Sequence, residues 1–198
     1  MLVLGLTGNI GCGKSSLSNI LKDNGIHVID ADIISRHIFE DKCLLQTVFT
    51  TFGDIIKNMD GSLNRKALGN IVFNNEDKLL KLNSLTHPKI KEKILNKLKE
   101  LEKEEIVVID AALLVEGNFL ELVDKLIVIT CDEDIQIQRI IKRDNCSKED
   151  AISRVNSQMK QEEKVKYSDY IIDNSKDICT LKKNANKLIN YIKENWCD

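Results

Sequence analysis

The sequence predicts an α/β fold: a mostly parallel five-stranded sheet with helices on both faces. Three observations predict it. Short apolar, β-branched runs recur at Leu2–Leu6, Ile26–Ile29, Ile106–Ile109, Leu126–Thr130 and Tyr170–Ile172, continuous enough for strands buried on both faces. Amphipathic helical stretches separate them, as crossovers between parallel strands require. A glycine-rich segment joins the first apolar run to the first helical pattern, the position of a phosphate-binding turn.

That segment, Gly8-Asn9-Ile10-Gly11-Cys12-Gly13-Lys14-Ser15, fits the P-loop pattern G-x-x-x-x-G-K-[ST], and with its strand and helix it makes the core a P-loop NTPase core. Gly8, Gly11 and Gly13 let the backbone curl so that N–H groups converge on one phosphate. Lys14 can reach the outer phosphates, and the Ser15 hydroxyl can coordinate Mg²⁺. Cys12 and Ser16 complete the loop. The expected ligand is a nucleoside triphosphate.

The second run ends in Ile29-Asp30-Ala31-Asp32. If the chain stays extended past Ile29, Asp30 and Asp32 point the same way. Two carboxylates at a strand's carboxyl end, beside a P-loop, suit phosphoryl transfer. One can accept a hydroxyl proton, the other can help hold Mg²⁺. Asp32 could equally cap a helix starting at Ile33.

Residues 33–103 contain no convincing central strand. They read as helices at Cys43–Thr51, Arg65–Phe73, Glu76–Ser84 and Pro88–Lys103, with a turn at Asp60-Gly61. His87 precedes the sole proline, Pro88, which biases it towards an extended conformation at a helix start. This interval is a helical insertion, expected to hold a second substrate by analogy with other small P-loop cores.

The third run ends in Asp110, placed like the metal-site acid of P-loop cores. Past the fourth run, residues 133–166 form a long charged region with helical periodicity. Most of its lysines read as solvated surface. Arg139 and Arg143 differ: four residues apart, they share one helical face near the carboxyl end of a strand. There they could clamp phosphoryl oxygens. From about Asp177 to Trp196 a last amphipathic helix carries Leu181, Ala185, Leu188, Ile189 and Ile192 as its apolar stripe.

Composition narrows the functional classes. The 198 residues carry 29 Lys+Arg against 31 Asp+Glu, without a basic stripe of the kind nucleic-acid binding needs. Six cysteines are scattered without a Cys-x-x-Cys pair, which argues against a zinc site or disulfide framework and suits a reducing cytoplasm. No leader and no membrane-length apolar run is seen, so a cytoplasmic protein, monomeric or weakly homo-oligomeric, is expected.

The ordered motifs closely resemble the dephospho-CoA kinase family over nearly the whole chain. The resemblance rests on Leu6–Ser16; Ile29-Asp30-Ala31-Asp32; Asp60-Gly61-Ser62-Leu63-Asn64-Arg65; Leu82 to Ile90 around His87-Pro88; Ala112-Leu113-Leu114-Val115-Glu116; Gln136 to Asp144; Ala151, Arg154 and Gln158; and Asp169 to Asn174. Asn9, Cys12, Ser16 and Ala112 depart from the family's usual residues without removing a glycine, the lysine or the hydroxyl.

The resemblance implies one kinase domain over 1–198: a core of about 1–32, 104–132 and 167–198, an acceptor-binding insertion over 33–103, and a helical lid over 133–166. It implies transfer of a phosphoryl group from ATP, with Mg²⁺, to the ribose 3′-hydroxyl of dephospho-CoA, the last step of coenzyme A biosynthesis. Asp32 is then the general base, Lys14 and Arg139 stabilise the transferring group, and Arg143 and Asn174 join the P-loop in binding ATP. Arg65, His87, Leu113, Leu114 and Glu116 contact the acceptor, although Arg65 also fits an exposed helix surface and His87 a structural cap. Ser15 holds Mg²⁺, with Asp30 or Asp110 acting through water. Alternatives are another small-molecule or nucleotide kinase, or a nucleotide-binding switch protein. The latter is disfavoured because no Asn-Lys-x-Asp guanine motif is present.

Overall fold

A computed structural model describes residues 1–72 and 75–197. Five parallel strands form its sheet: β1 (Leu2–Thr7), β2 (His27–Asp30), β3 (Ile106–Asp110), β4 (Lys125–Thr130) and β5 (Tyr170–Asp173), in the order β2-β3-β1-β4-β5. β1 is central, in register with β3 through Leu6↔Asp110 and with β4 through Leu6↔Ile127. Each strand starts or ends within a residue of the apolar run that predicts it, because a strand buried on both faces needs that unbroken apolarity.

The chain folds into two compact units, one of residues 1–30 and 98–198, the other of residues 31–97. In the first, α1 (Lys14–Asp23) and α9 (Ile178–Asn195) cover one sheet face. Leu17 and Leu21 of α1 and Leu181, Leu188 and Ile192 of α9 pack with Leu4, Leu6, Val108, Ile127 and Ile129. Residues of the other face, Val3, Val107, Ile109 and Val128, are also buried. The charged region forms α6 (Glu133–Asp144), α7 (Lys148–Asn156) and α8 (Gln161–Val165). Ile137, Ile140 and Ala151 tie α6 to α7 in a small core of their own.

The second unit is helical: α2 (Ala31–His37), α3 (Lys42–Phe52), α4 (Arg65–Val72) and most of α5 (Glu76–Glu100). Asp41 caps α3 by accepting from the N–H groups of Cys43 and Leu44. At the Asp60-Gly61 turn, Gly61 adopts φ +83°, and Lys57 bridges Leu63 across it. Phe73, the expected end of the helix from Arg65, lies outside the described residues.

Two local expectations are corrected. The chain does not break at His87-Pro88: α5 runs through Pro88 as one helix from Glu76 to Glu100. Proline removes one intrahelical donor and crowds the preceding turn, but Thr86, Ile90, Ile94 and Leu98 are buried along this helix, and their packing outweighs that local cost. Likewise, the extended conformation stops at Asp30, and Ala31 already begins α2. Asp32 therefore sits in the first turn of a helix, and strand alternation does not align it with Asp30.

Candidate active site

The P-loop is shaped by close approach. A Cβ on Gly8 would lie 2.6 Å from the Ile129 carbonyl oxygen, so only glycine lets the chain leave β1 across β4. Gly13 has φ +93° and stands at the N-cap of α1, where a Cβ would run into Asn174 Nδ2. No side chain caps α1 and its first turn holds no acid. Its first N–H groups and the positive end of its dipole thus remain suited to an anion.

Side chains distant in sequence fix the loop. Asn174, itself buried, donates to the Cys12 carbonyl at 2.7 Å. The Ile10 N–H donates to Gln158 Oε1 at 2.8 Å, and Gln136 Nε2 donates to the Ile10 carbonyl at 2.6 Å. Asn9 Nδ2 reaches the Met159 carbonyl at 2.9 Å. The loop's first half is therefore bonded to α6 and to the segment after α7.

Asp30 and Asp110 lie side by side at the carboxyl ends of β2 and β3. Asp110 is buried, its Oδ1 paired with Lys14 Nζ while its Oδ2 accepts from Ser18. Ser15 and Ser16, on the first turn of α1, are exposed. Arg139 donates to the Lys176 carbonyl at 3.1 Å through Nη2. Its Nη1 is buried without a hydrogen-bond partner and lies 4.0 Å from where a Gly13 Cβ would be. A buried guanidinium donor without a partner beside the P-loop is costly unless something anionic meets it. Arg143 behaves differently. It is exposed and makes a two-pronged pair with Asp144 at 2.7 and 2.9 Å, and Arg154 binds the same carboxylate at 2.5 Å.

The loop after β3 carries Leu113, Leu114 and Glu116. Leu113 is exposed, whereas Leu114 is fully buried and packs towards Gly5. Lys164 of α8, also fully buried, anchors this loop by donating to the Ala112 carbonyl at 2.9 Å. Thr7 donates to the same carbonyl at 3.0 Å. Lys164 Nζ is 2.9 Å from Glu116 Oε1 as well, close enough for an ion pair although both Glu116 oxygens lack hydrogen-bond geometry.

In the second unit, Asp32 is half-buried, and its carbonyl accepts from Ser35 Oγ. Arg65 is exposed, donates to the Arg36 carbonyl and lies over the Phe39 ring at 5.2 Å. His87 is half-buried inside α5, and desolvation pushes its pKa down.

Sequence reading alone assigns no part to Ser18, Gln136, Gln161 or Lys164. Ser18 had a signal, since it follows Lys14 by four residues on one helix face. The glutamines and Lys164 act across 30 to 149 positions of sequence, which local pattern does not reveal.

The dephospho-CoA kinase family model matches residues 2–180. A dephospho-CoA kinase of Carboxydothermus hydrogenoformans is 44% identical over 179 residues, covering 89% of this chain and 87% of the relative. Among solved structures, the dephospho-CoA kinase of Campylobacter jejuni is 34% identical, with a TM-score of 0.72 and 97% of each chain covered. A Thermus thermophilus protein superposes with a TM-score of 0.86 at 26% identity over 96% of each chain. With its P-loop bound to Asn174, its lysine seated on Asp110 and this likeness from end to end, the chain belongs to the dephospho-CoA kinase family.

Proposed function

We propose that the chain transfers the γ-phosphoryl group of ATP to the ribose 3′-hydroxyl of dephospho-CoA, giving coenzyme A and ADP. The carrying observation is an intact P-loop, with Lys14, Ser15 and an unpartnered Arg139 Nη1 beside Gly13, in a chain that matches the family over residues 2–180. Lys14 and the first N–H groups of α1 bind the phosphates, and Arg139 Nη1 meets charge on the transferring group. Asn174 acts by holding the Cys12 carbonyl, which keeps the loop in its phosphate-binding shape.

Asp32 accepts the proton of the acceptor hydroxyl. An ordinary carboxylate is a weak base at neutral pH, which suffices because a loose phosphoryl-transfer transition state releases that proton late. Arg65, His87 and the loop bearing Leu113 and Glu116 are assigned to the acceptor, and Arg143 to ATP. The insertion then serves the acceptor, and the segment 133–166 serves as a lid.

The donor set fits a hard divalent cation: a hydroxyl at Ser15 and carboxylates at Asp30 and Asp110, without sulfur or imidazole. Among the described residues, no group of three or more acidic, cysteine or histidine side chains is placed to hold a metal ion; Mg²⁺ would reach this site with the nucleotide. Bound there, Mg²⁺ would neutralise phosphate charge. No helix among the described residues is long and apolar enough to cross a membrane. Action in the cytoplasm, as a monomer or weak homo-oligomer, belongs to the same proposal.

The test is ADP release with ATP and Mg²⁺, with and without dephospho-CoA. Release that depends on dephospho-CoA, with coenzyme A as product, is the expected result. Release indifferent to dephospho-CoA, or faster with a nucleoside or another small alcohol, overturns it.

A further inference from the structure

Two cysteines that the proposed reaction does not use as chemical groups are in contact. Cys12 and Cys131 place their Sγ atoms 3.5 Å apart, and both belong to the core formed with Leu17 and Ile129. Cys12 lies inside the P-loop, and Cys131 follows β4 directly.

A cavity adjoins this buried pair. It measures about 400 Å³, is lined by Cys131 together with Asn9, Gln136, Gln158 and Gln161, and is ample for a molecule of a few atoms. Gln161 Oε1 accepts from the Cys131 N–H at 3.0 Å and stands 3.5 Å from Cys12 Sγ, so one side chain touches both cysteines.

The two sulfurs are unequal. The hydrogen bond with Cys131 and burial push the Cys12 thiol far up. Cys131 is drawn down, against its own burial, by its hydrogen bond with Cys12 and by the nearby Arg139 charge. The residue whose thiol ionises more readily is thus the one that borders the cavity, and the thiolate is the nucleophile in thiol oxidation.

We propose that Cys12 and Cys131 form a redox modification site, in which a hydroperoxide oxidises Cys131 and Cys12 then closes a disulfide that distorts the P-loop. With hydrogen peroxide, the Cys131 thiolate attacks one oxygen, the O–O bond breaks, and the departing hydroxide takes a proton to leave as water. Cys131 is left as a sulfenic acid. The Cys12 sulfur loses its proton and attacks the sulfenic sulfur. The S–S bond forms, the S–O bond breaks, and a second water leaves. Two thiols lose two electrons in total, and one peroxide is reduced to two waters. A small thiol reverses the step by exchange and is itself oxidised.

A disulfide is about 2.05 Å long, so the sulfurs must close by roughly 1.5 Å. β4 is hydrogen-bonded to strands on both edges. The displacement therefore falls mainly on the loop, where Gly11 and Gly13 hold the left-handed conformations that shape the phosphate cradle. The inference concerns the nucleotide site alone and does not depend on the identity of the acceptor.

The test exposes the full-length reduced protein to stepped doses of hydrogen peroxide. It follows intact mass, peptide mapping and binding of a fluorescent ATP analogue. The expected result is loss of two hydrogen atoms, one Cys12–Cys131 cross-linked peptide, and ATP-analogue binding weakened by about 10- to 100-fold, the scale of losing one hydrogen bond to a charged phosphate. Dithiothreitol should restore both mass and binding. The variants Cys131→Ser and Cys131→Ala should bind the analogue normally and keep doing so at the same peroxide dose. If Cys43 or Cys179, both exposed, oxidises while Cys12 and Cys131 stay unlinked, the site is refuted. A cross-linked protein that binds the analogue as tightly as the reduced one overturns the effect on the loop.

Discussion

Lys14 Nζ is seated on Asp110 Oδ1, joining the P-loop lysine to the acid at the end of β3 across 96 positions of sequence. Both side chains are largely buried, so neither charge is well solvated without the other. Removing one partner of such a pair costs about 3–5 kcal/mol because the remaining charge is left uncompensated. Asp110→Asn should therefore lower unfolding stability by several kcal/mol in urea titration. A variant as stable as the wild type would show that the Lys14 charge is satisfied without the Asp110 carboxylate.

Asp32→Asn separates binding from chemistry. The substitution keeps the side chain's size and removes its ability to take a proton. Turnover should fall by about 10²–10⁴-fold, with the KM for ATP little changed. Near-wild-type turnover would remove Asp32 from the base role.

Arg139 and Arg143 should behave unlike each other, although they share a helix face. Arg139 keeps a buried Nη1 without a hydrogen-bond partner, whereas Arg143 is committed to Asp144. Arg139→Gln should reduce kcat by about 10³-fold or more, as loss of a charge-stabilising arginine does. Arg143→Gln should change kcat far less, any effect falling on the KM for ATP, because its exposed guanidinium is held by Asp144. Equal losses in the two variants, measured under saturating substrates, would contradict this division.

Burial of His87 sets a pH limit on stability. Desolvation lowers its pKa below the ordinary 6.5. Between the lowered value and 6.5, the unfolded chain binds a proton that the folded chain resists, so stability rises with pH in that window. The contribution is complete above 6.5 and is lost as pH falls through the folded-state pKa. Thermal melts from about pH 7.5 down to about pH 5 should show this loss, and His87→Gln should flatten it.

Pro88 sits where a helix former would do better by local criteria. Pro88→Ala should stabilise the chain by up to about 3 kcal/mol, the difference between the two residues in a helix interior. A destabilised variant, read by the same urea titration, would mean that packing around Thr86 and Ile90 requires a bend at this position.

These cases show what the sequence discloses and what it hides. All five strands are legible because each is a short apolar run, and the P-loop is legible because its glycines, lysine and serine are contiguous. Lys14 and Asp110 are each recognisable alone, but their pairing is a property of register between β1 and β3. The continuity of α5 through Pro88 is hidden because proline's penalty is local, whereas the burial of Ile90 and Ile94 that outweighs it is tertiary. Lys164 reads as one more lysine in a charged helix. Only its approach to the Ala112 carbonyl, 52 positions away, makes it a fully buried anchor.

The order of strands also bears on how the chain is made. β1 comes first in sequence among the five strands and is the central one in the sheet, flanked by β3 and β4. At ribosomal speeds of about 5–20 residues per second, β1 must wait roughly 5–25 seconds before both neighbours exist. Gly8 turns against Ile129, so the phosphate loop cannot settle before β4 arrives. Until β3 is made, the apolar β1 has no neighbouring strand to pair with. This is a period in which chaperone shelter or slow translation would matter more than final stability.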